Sequence, residues 1–459
     1  MKHKISQLFV AAFIAANLPA CSGFLDTPPI RQETDTNQLS TAKGVEKVLF
    51  SAYGTLASEQ LLGKNIPLVG ELLADNLNFS RLNGTNYAAF ATKTFSATDV
   101  FSQEIWDNAY QAIFLANTVI EAVDGNKFTE AGQIGQQYKG EALFVRSLLF
   151  FELTQLFALP YSNNPNTDLG IVLRLTPTPK SPVEVATKVG RSTVQQSYDQ
   201  IIKDLTQAIS LLPEKNGNRA YKTAAKALLA RVYFSMNKYT EAYNLADEIL
   251  KAQPTTWKLT EPFTNFGDNM TNGVIFQVVN TPTQDNSTNF KKLYFDSNKE
   301  KIILPIAEEF VTAIRNNTSR AGNRWLLFVG TDATLPYTTK FNKATGNTNL
   351  PYLRLAEMYL IKAEAGLQAK KIDVFAARRE MNVLRKIAEG IEDNAVSNDE
   401  ILLEFIQEER RIELAFEGNR YHELRRQKKA IRNIPFNDKR HLLKLPLSEI
   451  NANPTIEQN

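Results

Sequence analysis

The fold is constrained most by long segments whose apolar residues recur every three or four positions. One such stripe lies on one face of a helix and comprises Val194, Tyr198, Ile201, Ile202, Leu205, Ala208, Ile209 and Leu212. Ser192 and Gln195 predict a capping box at its start, and Pro213 ends it. Residues 105–123 and 139–157 predict two more helices, and the second is apolar almost all round and therefore buried. A late helix is predicted from a capping box at Ser397 and Glu400, with Gly418 ending or interrupting it.

Two further segments carry the pattern of a helix pair. In residues 223–256, Leu229, Ala230, Tyr233, Ala242, Ala246 and Pro254 fall near the spacing of a tetratricopeptide repeat, which is about 34 residues long. Residues 352–385 have a second such pattern, with Ala365 and Ala377 where two helices would approach closely. Because one pair cannot bury its apolar face alone, we expect the pairs to stack. The predicted fold class is mostly α, a tetratricopeptide-like helical-repeat frame with irregular loop and short-strand insertions.

The insertions are two irregular tracts, residues 62–104 and 255–350, which are rich in Asn, Thr, Gly and aromatic residues. The second tract contains a strand-like piece at Val274–Val279. Loops held on a rigid frame commonly carry binding function, so we expect ligand contacts in these two tracts.

The amino terminus predicts export and a lipid anchor. Residues 1–20 combine a charged start, a short apolar run and small residues, which is typical of a secretory signal peptide. The run is too short to span a membrane, which takes about 20 apolar residues. Cys21, the single cysteine of the chain, ends the sequence LPAC and is the predicted site of lipidation, although an ordinary signal with a chance cysteine is the alternative. Residues 21–40 are predicted to be a tether, and residues 41–459 a single folded body.

Charge and motifs argue against several classes of function. The net charge is +3, and part of it lies in the leader, so nucleic-acid binding is not expected. The basic stretch Arg420–Arg432 is interpreted as a solvated helix end. The motif His422-Glu423 lacks the second histidine of a zinc site, and no cofactor motif or catalytic residue is identified. Carboxylate pairs such as Glu408-Glu409 and Glu413-Glu417 are interpreted as ion pairs along a helix with Arg410, Arg411 and Arg420.

Several segments together resemble one family, and they occur in the family's order. They are CSGFLDTPP, WDNAYQAIFLANTVI, EALFVRSLLFFELTQLF, SYDQIIKDLTQAISLLP, AAKALLARVYFSMNKYTEA, YLRLAEMYLIKAEA, ERRIELAFEGNRYHELRR and LLKLPLSEINANPTIEQN. Behind the cysteine of LPAC, this series resembles the SusD/RagB family of outer-membrane lipoproteins. The stretch LFALPY lacks the Gly-Asp pair that the family usually has there, so no role is transferred to that loop.

The resemblance implies a lipid-anchored, surface-exposed, non-enzymatic protein of the cell outer membrane. It would bind an oligosaccharide or peptide nutrient and deliver it to a SusC-like TonB-dependent porin. One alternative is a structural lipoprotein whose helical repeats bind protein partners without a small ligand, and a glycan hydrolase is another. The sequence leaves open the nutrient, the stoichiometry with the porin and the presence of a structural cation.

Candidate ligand contacts come from the residue types that suit sugars and peptides, namely aromatic faces and planar polar groups in the irregular tracts. The candidates are Phe79, Arg81, Asn83 and Tyr87 in the first tract and Tyr294 and Trp325 in the second. For each, the alternative is a packing role in the core or a loop. Trp106 is expected in the core, and Trp257 is expected to cap the repeat that precedes it.

Overall fold

The computed structural model describes residues 39–128, 131–177, 189–252, 259, 273–280, 288–294, 302–316, 336–341, 349–389 and 399–459. The helices of the first half are α1 (Ala42–Leu56), α2 (Asn65–Leu72), α3 (Ala88–Thr92), α4 (Val100–Asp124), α5 (Gln136–Phe157), α6 (Val194–Leu211), α7 (Lys222–Ser235) and α8 (Tyr239–Ala252). The helices of the second half are α9 (Thr288–Tyr294), α10 (Glu308–Asn316), α11 (Leu355–Gln368), α12 (Val374–Glu389), α13 (Asp399–Glu413), α14 (Arg420–Arg426) and α15 (Leu447–Ala452). Short 3₁₀ turns lie at Phe79–Arg81 and Lys439–His441, and a π-helical turn lies at Ala131–Gly135.

Strands β1 (Val274–Val278) and β2 (Leu350–Arg354) pair antiparallel in a two-stranded sheet with an irregular register. The predicted strand at Val274–Val279 is therefore confirmed to within one residue. The predicted class, mostly α with short-strand insertions, is also confirmed.

The helices pack as a continuous array. Helix α4 packs on α1 and α5, α5 on α6, α6 on α7, α7 on α8, α8 on α11, and α11 on α12. The two predicted helix pairs are present as α7–α8 and α11–α12. The second pair begins at Leu355 instead of residue 352, because residues 350–354 are extended and hydrogen-bond to β1. Stacked in this way, each helix covers the apolar face of its neighbour.

Helix α5 lies at the centre of the array and, as predicted, is buried on every side from Gly140 to Phe157. Its charged residue Arg146 is satisfied by a bidentate pair with Asp204 of α6, with N–O distances of 2.7 and 2.8 Å. Its carboxyl-terminal carbonyls, those of Gln155 and Ala158, accept hydrogen bonds from Arg425. Trp106 is buried against Phe157, as expected for a core residue.

The start of α6 differs from the prediction by one residue. Thr193 accepts from the backbone N–H of Gln196, and the Gln196 side chain accepts from the N–H of Thr193, which forms the capping box. Ser192 instead donates its hydroxyl to the carbonyl oxygen of Ile171. Ser192 and Thr193 both fit the capping-box motif. Because the hydroxyl of Ser192 binds the carbonyl oxygen of Ile171, Thr193 caps the helix.

The backbone of helix α2 is in direct contact with the backbone of the turn that precedes α14. A Cβ atom at Gly70 would lie 2.2 Å from the carbonyl oxygen of Gly418, so the two glycines allow an approach that side chains would prevent. Gly418 has φ of +82°, in the left-handed region, and it follows α13, which already ends at Glu413. Across this contact the buried carboxylate of Glu71 accepts from the N–H of Gly418 at 3.0 Å.

The acidic residues after position 400 pair mostly across the fold, so the interpretation as ion pairs along one helix was wrong for most of them. Glu413 and Glu417 both bind Arg354 of β2. The one predicted local pair that is observed in the described residues joins Arg411 and Glu408 at 3.8 Å. Buried charges require such close partners because an unpaired ion in the interior is costly.

The basic stretch Arg420–Arg432 is also not a solvated helix end. Arg425 and Arg426 are buried, and Arg426 binds Glu364 of α11 at 2.6 Å. Helix α14 therefore joins the helical array to the segment that follows it, residues 427–441, which contributes to the site described next.

Candidate functional site

Residues 77–93 form an irregular loop, here called the candidate loop, whose first end is fixed to another part of the chain. Leu77 forms a bridge with Ile306, and the N–H of Asn78 donates to the carbonyl oxygen of Pro305 at 2.8 Å. A 3₁₀ turn then leads through exposed polar residues to the short helix α3.

A tight turn at residues 431–434, in the carboxyl-terminal segment, packs against the candidate loop. Ile431 and Ile434 hydrogen-bond to each other in both directions, and Arg432 and Asn433 between them have φ of 50° and 62°. Two consecutive left-handed residues are the geometry of a type I′ turn. The turn projects Arg432 towards the candidate loop.

Arg432 holds the loop through its guanidinium group. It donates to the carbonyl oxygens of Phe90 at 3.0 Å and Ala91 at 3.2 Å. The same group lies 3.6 Å from the ring centroid of Phe79, which is a cation–π contact. Arg432 thus fixes the orientation of Phe79 and covers part of its ring.

A second contact lies at the end of the loop, where Lys93 is buried. Its Nζ lies 2.6 Å from Nδ1 of His441 and 3.1 Å from the carbonyl oxygen of Leu73. Nε2 of His441 faces the carbonyl oxygen of Pro435, so Nε2 carries the proton and Nδ1 accepts from Lys93. Burial, together with the nearby guanidinium of Arg432, lowers the pKa of Lys93 to about 6.

The structure brings four of the predicted ligand contacts together on the candidate loop. Arg81 and Asn83 are exposed, whereas Phe79 and Tyr87 are half-buried. The ring of Tyr87 lies 5.9 Å from that of Phe101, and burial raises the pKa of its hydroxyl. The candidate loop therefore carries half-buried rings together with exposed amide and guanidinium groups, which are residue types that suit sugars and peptides.

The other predicted contacts are not on this surface. Tyr294 is fully buried and stacks on Phe341 at 5.5 Å, so its proposed ligand contact is replaced by a core role. Tyr294 lies on α9, where its ring packs edge to face with the ring of Phe290. Trp325, Trp257 and the predicted lipidation site Cys21 lie outside the described residues.

Arg432, Lys93 and His441 support the loop, but they were not identified from the sequence. Asn433 hints at a left-handed turn, since Asn tolerates that conformation. The partners of that turn are more than 300 residues away in the chain, with a separation of 342 residues for Arg432 and Phe90. No local pattern encodes such a contact.

A separate cavity of about 40 Å³ lies between α2, β2 and α14. Its polar wall includes Glu152, whose carboxylate accepts from the hydroxyl of Tyr352, and His422. Burial raises the pKa of Glu152, and burial with the charge of Arg425 lowers that of His422 to about 3. The cavity has room for water molecules but not for a sugar ring.

Two features are absent from the described residues. In this part of the chain, no cluster of three or more His, Cys, Asp or Glu side chains is arranged to bind a metal ion. Among the helices described, none has the length and apolar character needed to cross a membrane.

Comparisons with known proteins agree over most of the chain. A sequence profile described as "Starch-binding associating with outer membrane" matches residues 23–234, and one described as "SusD family" matches residues 310–442. SusD-like protein P38 of Formosa agariphila is 22% identical over 99% of this chain and 98% of the relative. SusD-like protein P25 of the same organism is 23% identical over 55% of this chain, and that match spans 47% of the relative.

Solved structures have the same fold. A SusD superfamily protein from Bacteroides thetaiotaomicron superposes with a TM-score of 0.81 at 25% identity, covering 91% of this chain and 99% of that one. A SusD-like carbohydrate binding protein from Bacteroides vulgatus superposes with a TM-score of 0.76 at 18% identity, covering 91% and 97%. Because both sequence profiles and full-length structural similarity agree with the ordered motifs, the chain belongs to the SusD/RagB family.

Proposed function

We propose that this protein is a lipid-anchored nutrient-binding protein of the outer membrane that holds an oligosaccharide or peptide on the candidate loop. The observation that carries the proposal is the set of Phe79, Arg81, Asn83 and Tyr87 on one supported loop. Family membership adds support, since one family profile is described as starch-binding and a structural relative as carbohydrate binding.

The binding role rests on a division between a rigid frame and a polar loop. Leu77, Lys93 and Arg432 hold the loop, so its backbone needs little ordering when a ligand binds. Residues 76–93 contain no carboxylate, whereas glycoside hydrolysis requires two of them beside the bond that breaks. We therefore propose binding without catalysis at this loop.

The binding test uses oligosaccharide and peptide arrays, followed by calorimetry on any probe that binds. Replacing Tyr87 by Ala should weaken binding by about tenfold, because a ring contact contributes about 1.4 kcal/mol or more. The control is Phe375→Ala on α12, which removes a ring that is 50% exposed and lies outside the candidate loop. Equal losses in both variants, or no binding by any oligomer, would contradict the proposal and favour a protein-interaction role.

Anchoring and delivery are the second part of the proposal. Cys21 would carry the lipid that holds the body on the exterior of the cell, and a SusC-like TonB-dependent porin would receive the ligand. Replacing Cys21 by Ala should abolish uptake by cells and leave binding by the purified protein unchanged. Co-purification of a porin with the wild-type protein from detergent-solubilised outer membranes tests the partner. Full uptake by the Cys21 variant would refute the anchoring role.

A further inference from the structure

The two segments that build the candidate surface are strongly biased towards positive charge. The chain as a whole is almost balanced, with 52 basic and 49 acidic residues. Besides the buried Lys93, whose pKa is lowered to about 6, residues 76–93 and 427–440 contain one acidic residue, Asp438, against a set of basic residues: Arg81, Lys428, Lys429, Arg432, Lys439 and Arg440. The bias is therefore local and not a property of the composition.

These two segments are neighbours in space. Arg432 contacts the Phe79 ring and the carbonyl oxygens of Phe90 and Ala91, and Lys93 contacts His441. The charges of both segments consequently act on one region of the surface.

Two acidic groups that act on Arg432 and Lys93 already have partners. Asp438 binds Arg440 at 2.7 Å, and Asp75 binds Arg420 through both carboxylate oxygens at 2.8 and 2.9 Å. Lys429 is engaged with the side chain of Gln407, so we do not count it as part of the surface.

Three exposed cations of the two segments have no acidic partner among the described residues. Arg81, Lys428 and Lys439 are exposed, and none of them forms an ion pair within the described ranges. Lys428 lies 6.0 Å from the ring centroid of Phe436, which adds another ring beside a cation. These cations are free to receive a negative group from a ligand.

The buried groups below the surface agree with a positive potential. After burial, the largest causes of the lowered pKa of Lys93 are the guanidinium groups of Arg432 and Arg425, with Arg440 adding to them and Asp438 opposing. Burial remains the largest cause of this pKa shift, and the guanidinium charges add to it in the direction expected where positive charge is in excess.

We propose that the oligomer bound at the candidate loop is anionic and carries carboxylate or sulfate groups, an inference that rests on the proposed binding function. The half-buried rings of Phe79, Tyr87 and Phe436 would cover sugar faces, and Asn83 and Asn86 would bind hydroxyl groups. Cations with interspersed rings and amides fit an acidic oligosaccharide better than a lipid headgroup surface, which would not use the ring faces. Arg81 recognises the anionic group by its planar fork, with Lys428 and Lys439 adding point charges.

The test compares matched probes that differ in charge. Oligogalacturonate is measured against its methyl-esterified form, and sulfated chondroitin oligosaccharides against a desulfated form whose carboxyl groups have been reduced to alcohols, by calorimetry at two salt concentrations. One variant combines Arg81→Gln, Lys428→Gln and Lys439→Gln. The control combines Lys203→Gln, Lys370→Gln and Lys371→Gln, which removes the same charge from exposed positions on α6 and at the end of α11. Unchanged melting temperatures would show that both variants are folded.

The expected result is that at least one anionic probe binds and its neutral partner does not, with weaker binding at higher salt. The triple variant should lose about tenfold in affinity, since exposed charge pairs contribute modestly each, and the control should lose less than about twofold. Binding of neutral oligosaccharides with no response to the triple variant would overturn the inference and leave the proposed function intact. Absence of binding by oligosaccharides and peptides of either charge would overturn both. Charge-dependent binding to vesicles of anionic phospholipid, without binding of oligosaccharides, would also overturn the inference.

Discussion

Replacing Gly70 by Ala tests whether the contact between α2 and the turn at Gly418 holds the fold together. The added Cβ would lie 2.2 Å from the carbonyl oxygen of Gly418 and 2.8 Å from its carbonyl carbon. Since ordinary contacts between such atoms are about 3.3 Å or longer, the two backbones must separate by about 1 Å. Both sides of the contact are backbone, so no flexible side chain can absorb the overlap.

The size of the effect can be worked out from what that separation disturbs. Overpacking of this kind costs about 1–3 kcal/mol. The 3.0 Å hydrogen bond from the N–H of Gly418 to the buried Glu71 would also lengthen. A buried group left without its partner costs about 1–3 kcal/mol more. Alanine returns at most about 1 kcal/mol through its higher helix propensity. We therefore expect a net destabilisation of about 3 kcal/mol.

The assay is equilibrium unfolding in urea, followed by circular dichroism and by tryptophan fluorescence, to which the buried Trp106 contributes. Gly54→Ala in α1 is the matched control, because it is the same change in a helix but nothing lies within 4 Å of its Cβ. This control should be stabilised by about 0.5–1 kcal/mol. A Gly70 variant within 1 kcal/mol of the wild type, or a Gly54 variant destabilised as much as Gly70→Ala, would refute the reasoning.

Three other predictions concern stability and pH. Thr193→Ala should destabilise the protein by about 1 kcal/mol in urea unfolding, because it removes the capping box of α6; a neutral effect would contradict the assignment of the cap. Arg146→Met should cost about 3–5 kcal/mol by leaving Asp204 unpaired, whereas the double variant with Asp204→Leu should be more stable than the single one, and the reverse order would contradict a buried pair. The pKa of Lys93 is lowered from 10.5 to about 6, so the unfolded chain binds more protons between these values and stability should rise with pH across that window. Lys93→Met should flatten this rise in unfolding measured at pH 6, 7.5 and 9, and an unchanged slope would show that another group is responsible.

Helix positions could be predicted from the sequence because their pattern is local. The stripe from Val194 and the uniformly apolar run up to Phe157 both became helices at the expected places. Residues three or four positions apart lie on the same face of a helix, so the apolar pattern of a buried face is visible within a short segment of sequence. The exact cap of α6 could not be predicted, since Ser192 and Thr193 differ only in a contact that Ser192 makes with distant Ile171.

The position of the candidate loop could be predicted in part, whereas ligand contact by its side chains stays a prediction. Residue type and tract composition identified Phe79, Arg81, Asn83 and Tyr87, which the fold places on one loop. The same reasoning failed for Tyr294, because an aromatic residue in an irregular tract serves equally well as a core residue, and only its neighbours distinguish the two. From the sequence, Arg432 was interpreted as part of a solvated basic stretch, whereas in the structure it hydrogen-bonds to the backbone of the candidate loop.

By itself, the sequence determined the mostly helical class, the stacking of helix pairs and, through motifs in a fixed order, the family. The tertiary structure decided which partners the buried charges take and which loop side chains remain exposed. Arg354 contacts Glu413 at 2.7 Å although the two are 59 positions apart in the sequence, and Arg432 reaches Phe90 across most of the chain. The physical reason is that helix periodicity repeats within a few residues and can be recognised locally. A buried charge, in contrast, is stabilised by a partner that only the folded chain brings within hydrogen-bond distance.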